Sequence, residues 1–328
     1  MEEEPPSRLK ARHVGTRQAT IQLPLLEGTP VLRTRRLEKF LHIGALFVKH
    51  EGTNPTGTHK DRLARVQVAF AKASGFAGLS VGTCGNHGTA LAFHARKAGL
   101  RCTLFAPSRY HLPRLAEMKA YGADVRLVDG PYESAVEASV RFAMDNGLYD
   151  ANPGAADHAQ RGLEAYAPIA REIVVAAGCP DNVAVPMGNG TAIWGIQQGF
   201  EQLRKEGRIQ KAPAMIGAST QTGNPILDSW RTGAPVVTDL NPEHLHETHV
   251  NEPLVSIHPY DGDHALEAIR ASHGQAVAIA DNEMLRMANW LRRLESVKAL
   301  PAGTAGLAAI ERIRPSGTSV AVITSRSF

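Results

Sequence analysis

The sequence predicts an α/β protein with two doubly wound domains of parallel or mixed sheet, and three observations lead there. Short β-branched runs alternate with stretches of helical period along most of the chain. The strand runs are almost continuously apolar, as expected of parallel strands covered on both faces. Glycines close the helical stretches at Gly75, Gly99, Gly122, Gly147 and Gly178, where helix C-termini favour them. At 328 residues the chain is large for one core, so two lobes are expected.

The first expected strand spans residues 45–49. An Asn54-Pro-Thr-Gly57 turn follows, then Lys60 and a helical run over 63–73 with apolar Leu63, Val66 and Phe70. Strand 79–81, helix 88–98, strand 102–105, helix 113–121, strand 125–128 and helix 132–146 continue the alternation. The stretch 151–161, which contains Asn152-Pro-Gly154, has no clear period and divides the eight strands. Beyond it lie helix 163–177, strand 183–186, helix 192–207, strand 214–218, helix 262–272, strand 275–279, helices 282–294 and 305–313, and strand 319–323. The expected domains are a small mobile one over 53–157 and a larger one over 158–328, to which residues 1–52 return. That return does not come from pattern. Residues 1–16 are expected to be disordered.

A composition of 43% hydrophobic and 21% charged residues is that of an ordinary soluble globular protein. The net charge of +4 is small, and no basic patch is interleaved with aromatics, which argues against nucleic acid. No apolar run is long enough to cross a membrane. The opening Met-Glu-Glu-Glu-Pro-Pro is the wrong chemistry for a secretory signal. Cys84, Cys102 and Cys179 have neither metal-site spacing nor the number of a disulfide framework, so no metal is expected and the cytoplasm is the default.

Four places carry unusual chemistry. Lys60 sits on a sharp bend at the mouth of a helix, where an amine can be desolvated and held still as a Schiff-base former; the plain alternative is a solvated helix-start charge. Val81-Gly-Thr-Cys-Gly-Asn-His-Gly88 joins a strand to a helix, and its Thr83, Asn86 and backbone N–H groups can face an anion or simply cap the helix. In Pro186-Met-Gly-Asn-Gly-Thr-Ala-Ile193 the backbone of Gly188, Asn189, Gly190, Thr191 and Ala192 can wrap a phosphate, or form an empty turn. This loop lacks both the dinucleotide spacing and the lysine of a nucleotide loop, which favours a single phosphate monoester. Thr324 ends a buried strand with a hydroxyl. An amine nucleophile, an anion-holding turn, a phosphate cup and a hydroxyl together make a pyridoxal phosphate site.

With these residues in view, the chain resembles the tryptophan-synthase-β-like family of pyridoxal 5'-phosphate enzymes (fold type II), in its threonine-synthase-like branch. The resemblance runs over about 28–324, through Gly28-Thr-Pro30, Asn54-Pro-Thr-Gly-Thr-His-Lys-Asp-Arg62, Gly85-Asn86 and Ala116-Glu-Met-Lys-Ala-Tyr-Gly-Ala-Asp124. It continues in Pro186-Met-Gly-Asn-Gly190, Asp281-Asn-Glu283 and Pro301-Ala-Gly-Thr-Ala305. It implies a cofactor cleft between the two domains, with Lys60 as the Schiff-base lysine that then moves the substrate's Cα proton. It further implies that Asn86 bonds the cofactor's ring oxygen and that Thr83, Cys84, Gly85, Asn86 and His87 close on the substrate carboxylate. Gly188 to Ala192 would hold the phosphate and Thr324 would meet the pyridine nitrogen. A homodimer acting on a small amino acid is implied as well.

Three residues near the implied substrate depart from the family pattern: His59 before the lysine, and Cys84 and His87 where Ser and Thr are usual. Each histidine either packs or supplies an acid–base group, whereas Cys84 reads as a small-for-small exchange. Leu63 stands where threonine synthases carry glycine, Glu295-Ser296 replaces a Glu-Gly turn, and the chain ends soon after Thr324. These departures bear on the substrate and leave the cofactor residues intact. The implied activity is β- or γ-elimination or replacement on O-phosphohomoserine or a related amino acid. The alternatives are a serine/threonine dehydratase, a cysteine-synthase-type β-replacement enzyme, and a non-catalytic binding relative that keeps the fold.

Overall fold

The computed structural model describes residues 28–108 and 114–327. The expectations for residues 1–16 and for Pro113 lie outside them. The described chain opens with β1 (Val31–Arg33), α1 (Arg35–Leu41) and β2 (Leu46–His50). Next come α2 (Lys60–Ala73), β3 (Gly78–Gly82), α3 (Asn86–Ala98), β4 (Arg101–Pro107), α4 (Leu115–Ala120), β5 (Asp124–Val128), α5 (Tyr132–Asp145) and β6 (Tyr149–Asp150). Then follow α6 (His158–Ala177), β7 (Asn182–Pro186), α7 (Thr191–Lys205), β8 (Ala214–Thr220) and α8 (Pro225–Thr232). The last are α9 (Gly262–Ala271), β9 (Gln275–Ile279), α10 (Asp281–Glu295), α11 (Ala305–Ile313) and β10 (Ser319–Ile323).

Six strands form one sheet in the order β1-β2-β10-β7-β8-β9, parallel except where β1 meets β2. A second sheet, β5-β4-β3-β6, is parallel throughout. The larger sheet is covered on both faces, and strand alternation divides its residues between them. Val183, Val185, Val320 and Val322 face a core shared with α6, α7 and α9. Ala184, Ala321 and Ile323 face the core of α10 and α11, where alanine allows close approach. Around the second sheet, Leu79, Val81 and Leu104 pack with Ala64 and Val68 of α2 and with Leu91 of α3. The early chain joins the larger sheet through β2, which lies parallel to β10 with Leu46 opposite Ser319.

Some elements departed from expectation. The three-residue β1 and two-residue β6 are too short to show a period. The helices α1 and α8 were not expected, although Asn224-Pro225 is a cap signal: the Asn224 side chain accepts from the Ile226 and Leu227 N–H groups. Helix α6 begins at His158, inside the stretch read as aperiodic. Its first turn buries His158, Arg161 and Gly162, so the inward face there carries no apolar period.

Candidate active site

Lys60 is the first residue of α2, and the two residues after it turn inward and are almost fully buried. Asp61 Oδ2 accepts from the Thr56 N–H (3.0 Å) and hydroxyl (2.8 Å), which closes the Asn-Pro-Thr-Gly turn. Arg62 donates to both Glu51 oxygens (2.6 and 2.9 Å) and both Glu172 oxygens (2.8 and 2.7 Å). The buried Lys49 also pairs with Glu172. Burial pushes the Glu51 carboxyl up, but Arg62 outweighs it and brings the carboxyl down to about 2. Paired forks of this kind fix geometry, so the triplet is not a solvated helix start.

The Lys60 amine lines a cavity of about 730 Å³, and among the described residues it has no hydrogen-bond or ion-pair partner. Burial lowers its pKa, opposed only by the more distant Asp261 carboxylate. A desolvated amine is neutral more of the time and therefore more nucleophilic. The turn ahead of it is stitched to the end of β10. His59 N–H donates to Thr324 O (2.9 Å), Arg326 N–H donates to Gly57 O (2.9 Å), and Thr58 bridges Ser325. His59 Nδ1 lies 3.2 Å from the same Thr324 carbonyl, which can only accept, so the ring proton sits on Nδ1. Burial and the nearby Lys60 push His59 down to about 3, which makes it a neutral positioning group.

In the loop after β3, Thr83 Oγ1 accepts from the Gly85 and Gly88 N–H groups, each at 3.0 Å, so this hydroxyl is used within the loop. Asn86 Oδ1 accepts from Arg114 (2.9 Å), which also donates to Thr56 O (2.6 Å) and Glu117 (3.0 Å). That leaves the Asn86 NH₂ as the group it can offer a ligand oxygen. Neither His87 ring nitrogen has a hydrogen bond of good geometry, and burial with nearby Lys60 holds the ring neutral.

The glycines of the cup before α7 are required by close approach. A Cβ on Gly190 (φ 91°) would lie 2.7 Å from Ala265 Cβ and 2.8 Å from Asp261 O; one on Gly188 would lie 2.9 Å from Pro253 O. Asn224 Nδ2 donates to Met187 O, Gly188 O and Leu254 O, which fixes the backbone of the cup. The Asp261 carboxylate accepts from the Thr191 hydroxyl and lies 3.3 Å from His158 Nε2. Burial raises the Asp261 pKa, but these two partners outweigh it and hold the group below its ordinary value. Helix α7 starts on Gly190 with no side-chain cap, which leaves its first N–H groups for a ligand. The first residues of α2, α3, α5, α6 and α7 all line the one cavity, so five positive helix ends border it.

The structure brings to this cavity every site residue proposed from the sequence: His59, Lys60, the residues from Thr83 to His87, the residues from Gly188 to Ala192, and Thr324. Sequence reasoning missed Arg114, His158, Asn224 and Asp261. Only Asn224, ahead of a proline, left a readable signal. The cavity is also lined by Cys84, Tyr132, Glu133, Glu247, Glu252 and Tyr260. Burial, with Glu247 adding to it, pushes the Glu252 carboxyl up to about 7. Burial, together with Glu252, pushes the neighbouring Cys84 thiol well up, so it is not a reactive thiolate.

The family described as pyridoxal-phosphate dependent enzyme matches residues 23–325. The threonine synthase of Methanocaldococcus jannaschii is 30% identical over 326 residues, which cover 94% of this chain and 78% of that protein. The threonine synthase of Methanosarcina acetivorans is 31% identical over 289 residues, which cover 87% and 69%. Among solved structures, maize serine racemase superposes with a TM-score of 0.77 at 18% identity, covering 92% of this chain and 89% of that one. A threonine deaminase from Solanum lycopersicum gives 0.75 at 16% identity, covering 92% and 79%. At such identities the solved structures share the fold.

Proposed function

Because the chain belongs to the family of pyridoxal-phosphate dependent enzymes, we propose that it removes a β or γ substituent from a small amino acid, with or without replacement. The proposed reaction is threonine-synthase-like, on O-phosphohomoserine or a related amino acid. The observation that carries this reading is the desolvated Lys60 amine, without a hydrogen-bond or ion-pair partner among the described residues, in a cavity bordered by five helix N-termini.

The residues fit the cofactor. The cup at Gly188 and Gly190 would be filled by any Cβ, and the uncapped start of α7 suits a phosphate. When bound, pyridoxal phosphate supplies an electron sink that acidifies the substrate's Cα proton and lets the substituent leave. Lys60 would hold the cofactor and then move the proton at Cα. The backbone from Gly188 to Ala192 would hold the phosphate, with Thr191 oriented by Asp261. Asn86 would donate its NH₂ to the ring oxygen. Thr324 would meet the ring nitrogen with a hydroxyl, which does not force that nitrogen to stay protonated. The loop from Thr83 to His87 would receive the substrate carboxylate, and His59 would fix the Lys60 turn to Thr324.

The cavity takes its walls from both sheets' units, which supports residues 53–157 as a small mobile domain closing on 1–52 and 158–328. We take a cytoplasmic homodimer as its working form. The cofactor-loaded protein should change its absorption with at least one of O-phosphohomoserine, serine, threonine and O-acetylserine and release the matching product. If no amino acid perturbs the spectrum, the reading fails.

A further inference from the structure

Behind the phosphate cup lies a buried carboxylate. The Asp261 N–H donates to Asn189 O (3.2 Å), its carbonyl closes on Gly190, and its Oδ2 accepts from the Thr191 hydroxyl. Thr191 therefore offers a ligand its N–H and not its hydroxyl. A negative charge thus stands one hydroxyl away from a cup suited to an anion, and in a partly dry cleft two such charges repel.

Among the described residues the ion-pair neighbours of Asp261 are both histidines. His264 Nδ1 lies 3.9 Å from Oδ1 at the surface, and Nε2 of the buried His158 lies 3.3 Å from Oδ2. Neither ring nitrogen of His158 makes a hydrogen bond of good geometry, so a proton added to the ring finds its partner in Asp261, as a charge-assisted bond. The other titratable groups around the pair are Lys60, His87, Asp150 and Tyr166. Lys60 is committed to the cofactor, burial holds His87 neutral and Tyr166 protonated, and the Asp150 carboxylate favours a proton on His158. The positive end of α6, which begins at His158, opposes one. The added negative charge of a phosphate is what tips this balance.

Resting on the reading that Gly188 to Ala192 hold the cofactor's phosphate, we propose that Asp261 and His158 form a proton-accepting pair. A proton passes from solvent to the pair as the phosphate enters the cup, and His158 is the positioning residue that offsets Asp261.

The probe is pyridoxine 5'-phosphate, which has no aldehyde to react with Lys60, and pyridoxine is the phosphate-free control. Each is titrated calorimetrically into the full chain freed of cofactor, in two buffers of different ionisation enthalpy. At about pH 8 the ester is a dianion. Wild type is expected to bind the ester with net proton uptake. His158→Gln keeps a donor without the charge, and should weaken the ester about tenfold while leaving pyridoxine unaffected. Asp261→Asn should abolish the uptake, and combined with His158→Gln it should restore the lost affinity. The inference is overturned if wild type takes up no proton, or if Asp261→Asn takes up as many. It is overturned as well if His158→Gln weakens the ester no more than pyridoxine, or if the double variant stays as weak as His158→Gln. Should His158→Gln not fold, the uptake in Asp261→Asn alone decides. A wild type that binds the ester no more tightly than pyridoxine removes the reading of the cup itself, and this inference with it.

Discussion

At Glu252 the folded carboxyl titrates at about 7 against an ordinary 4.5. The folded chain thus holds the proton more tightly than the unfolded one. Stability from this group is full below about 4.5 and drains away as pH rises through about 7. Glu252→Gln should therefore be more stable than wild type at pH ~8 by on the order of 1–3 kcal/mol, with the gap closing near pH ~5. Urea unfolding at both pH values measures this, and an equal gap at both would contradict the assignment. His59 gives the residue-scale lesson on legibility. The sequence left it between packing and acid–base work, because its partner is a carbonyl 265 positions away. Nothing local marks such a pairing.

Among the elements, the longer helices and most strands were legible, and β9, α11 and β10 match their expected bounds, whereas the short helices α1 and α8 were missed. Elements that bury polar side chains were not legible either, as the start of α6 illustrates. The glycine cup was legible as a pattern, but its reason is visible only in space. Gly190→Ala places a Cβ in a left-handed backbone and against Ala265 and Asp261. It should cost about 1–3 kcal/mol and weaken cofactor binding by tenfold or more, on the order expected for strain plus displaced N–H groups. Gly207→Ala is the control: it is also left-handed (φ 69°) but meets no atom within 4 Å. It should cost only about 1–2 kcal/mol and leave cofactor affinity unchanged. Equal cofactor loss in both would mean the cup does not hold the phosphate.

Across the whole molecule, Arg62, Glu51, Glu172 and Lys49 tie α2 to β2 and α6, and so fix the Lys60 turn to the rest of the fold. Asp61-Arg62 was legible as a motif; its partner Glu172, 110 positions on, was not. Glu51 titrates at about 2 when folded against 4.5, so its stabilisation is full above about 4.5 and is lost as pH falls toward 2. Acid unfolding followed by circular dichroism should fall within that window. Arg62→Ala should cost about 3–5 kcal/mol, because it leaves buried carboxylates unpaired. A variant as stable as wild type would remove the network from the account.

The central claim is that the Lys60 amine is the group that takes the cofactor. Borohydride reduction of the cofactor-loaded protein followed by peptide mapping tests it most directly. A pyridoxyl group is expected on Lys60, with neither label nor visible cofactor absorption in Lys60→Ala. Label on Lys49 or any other lysine, or undiminished absorption in Lys60→Ala, would contradict it.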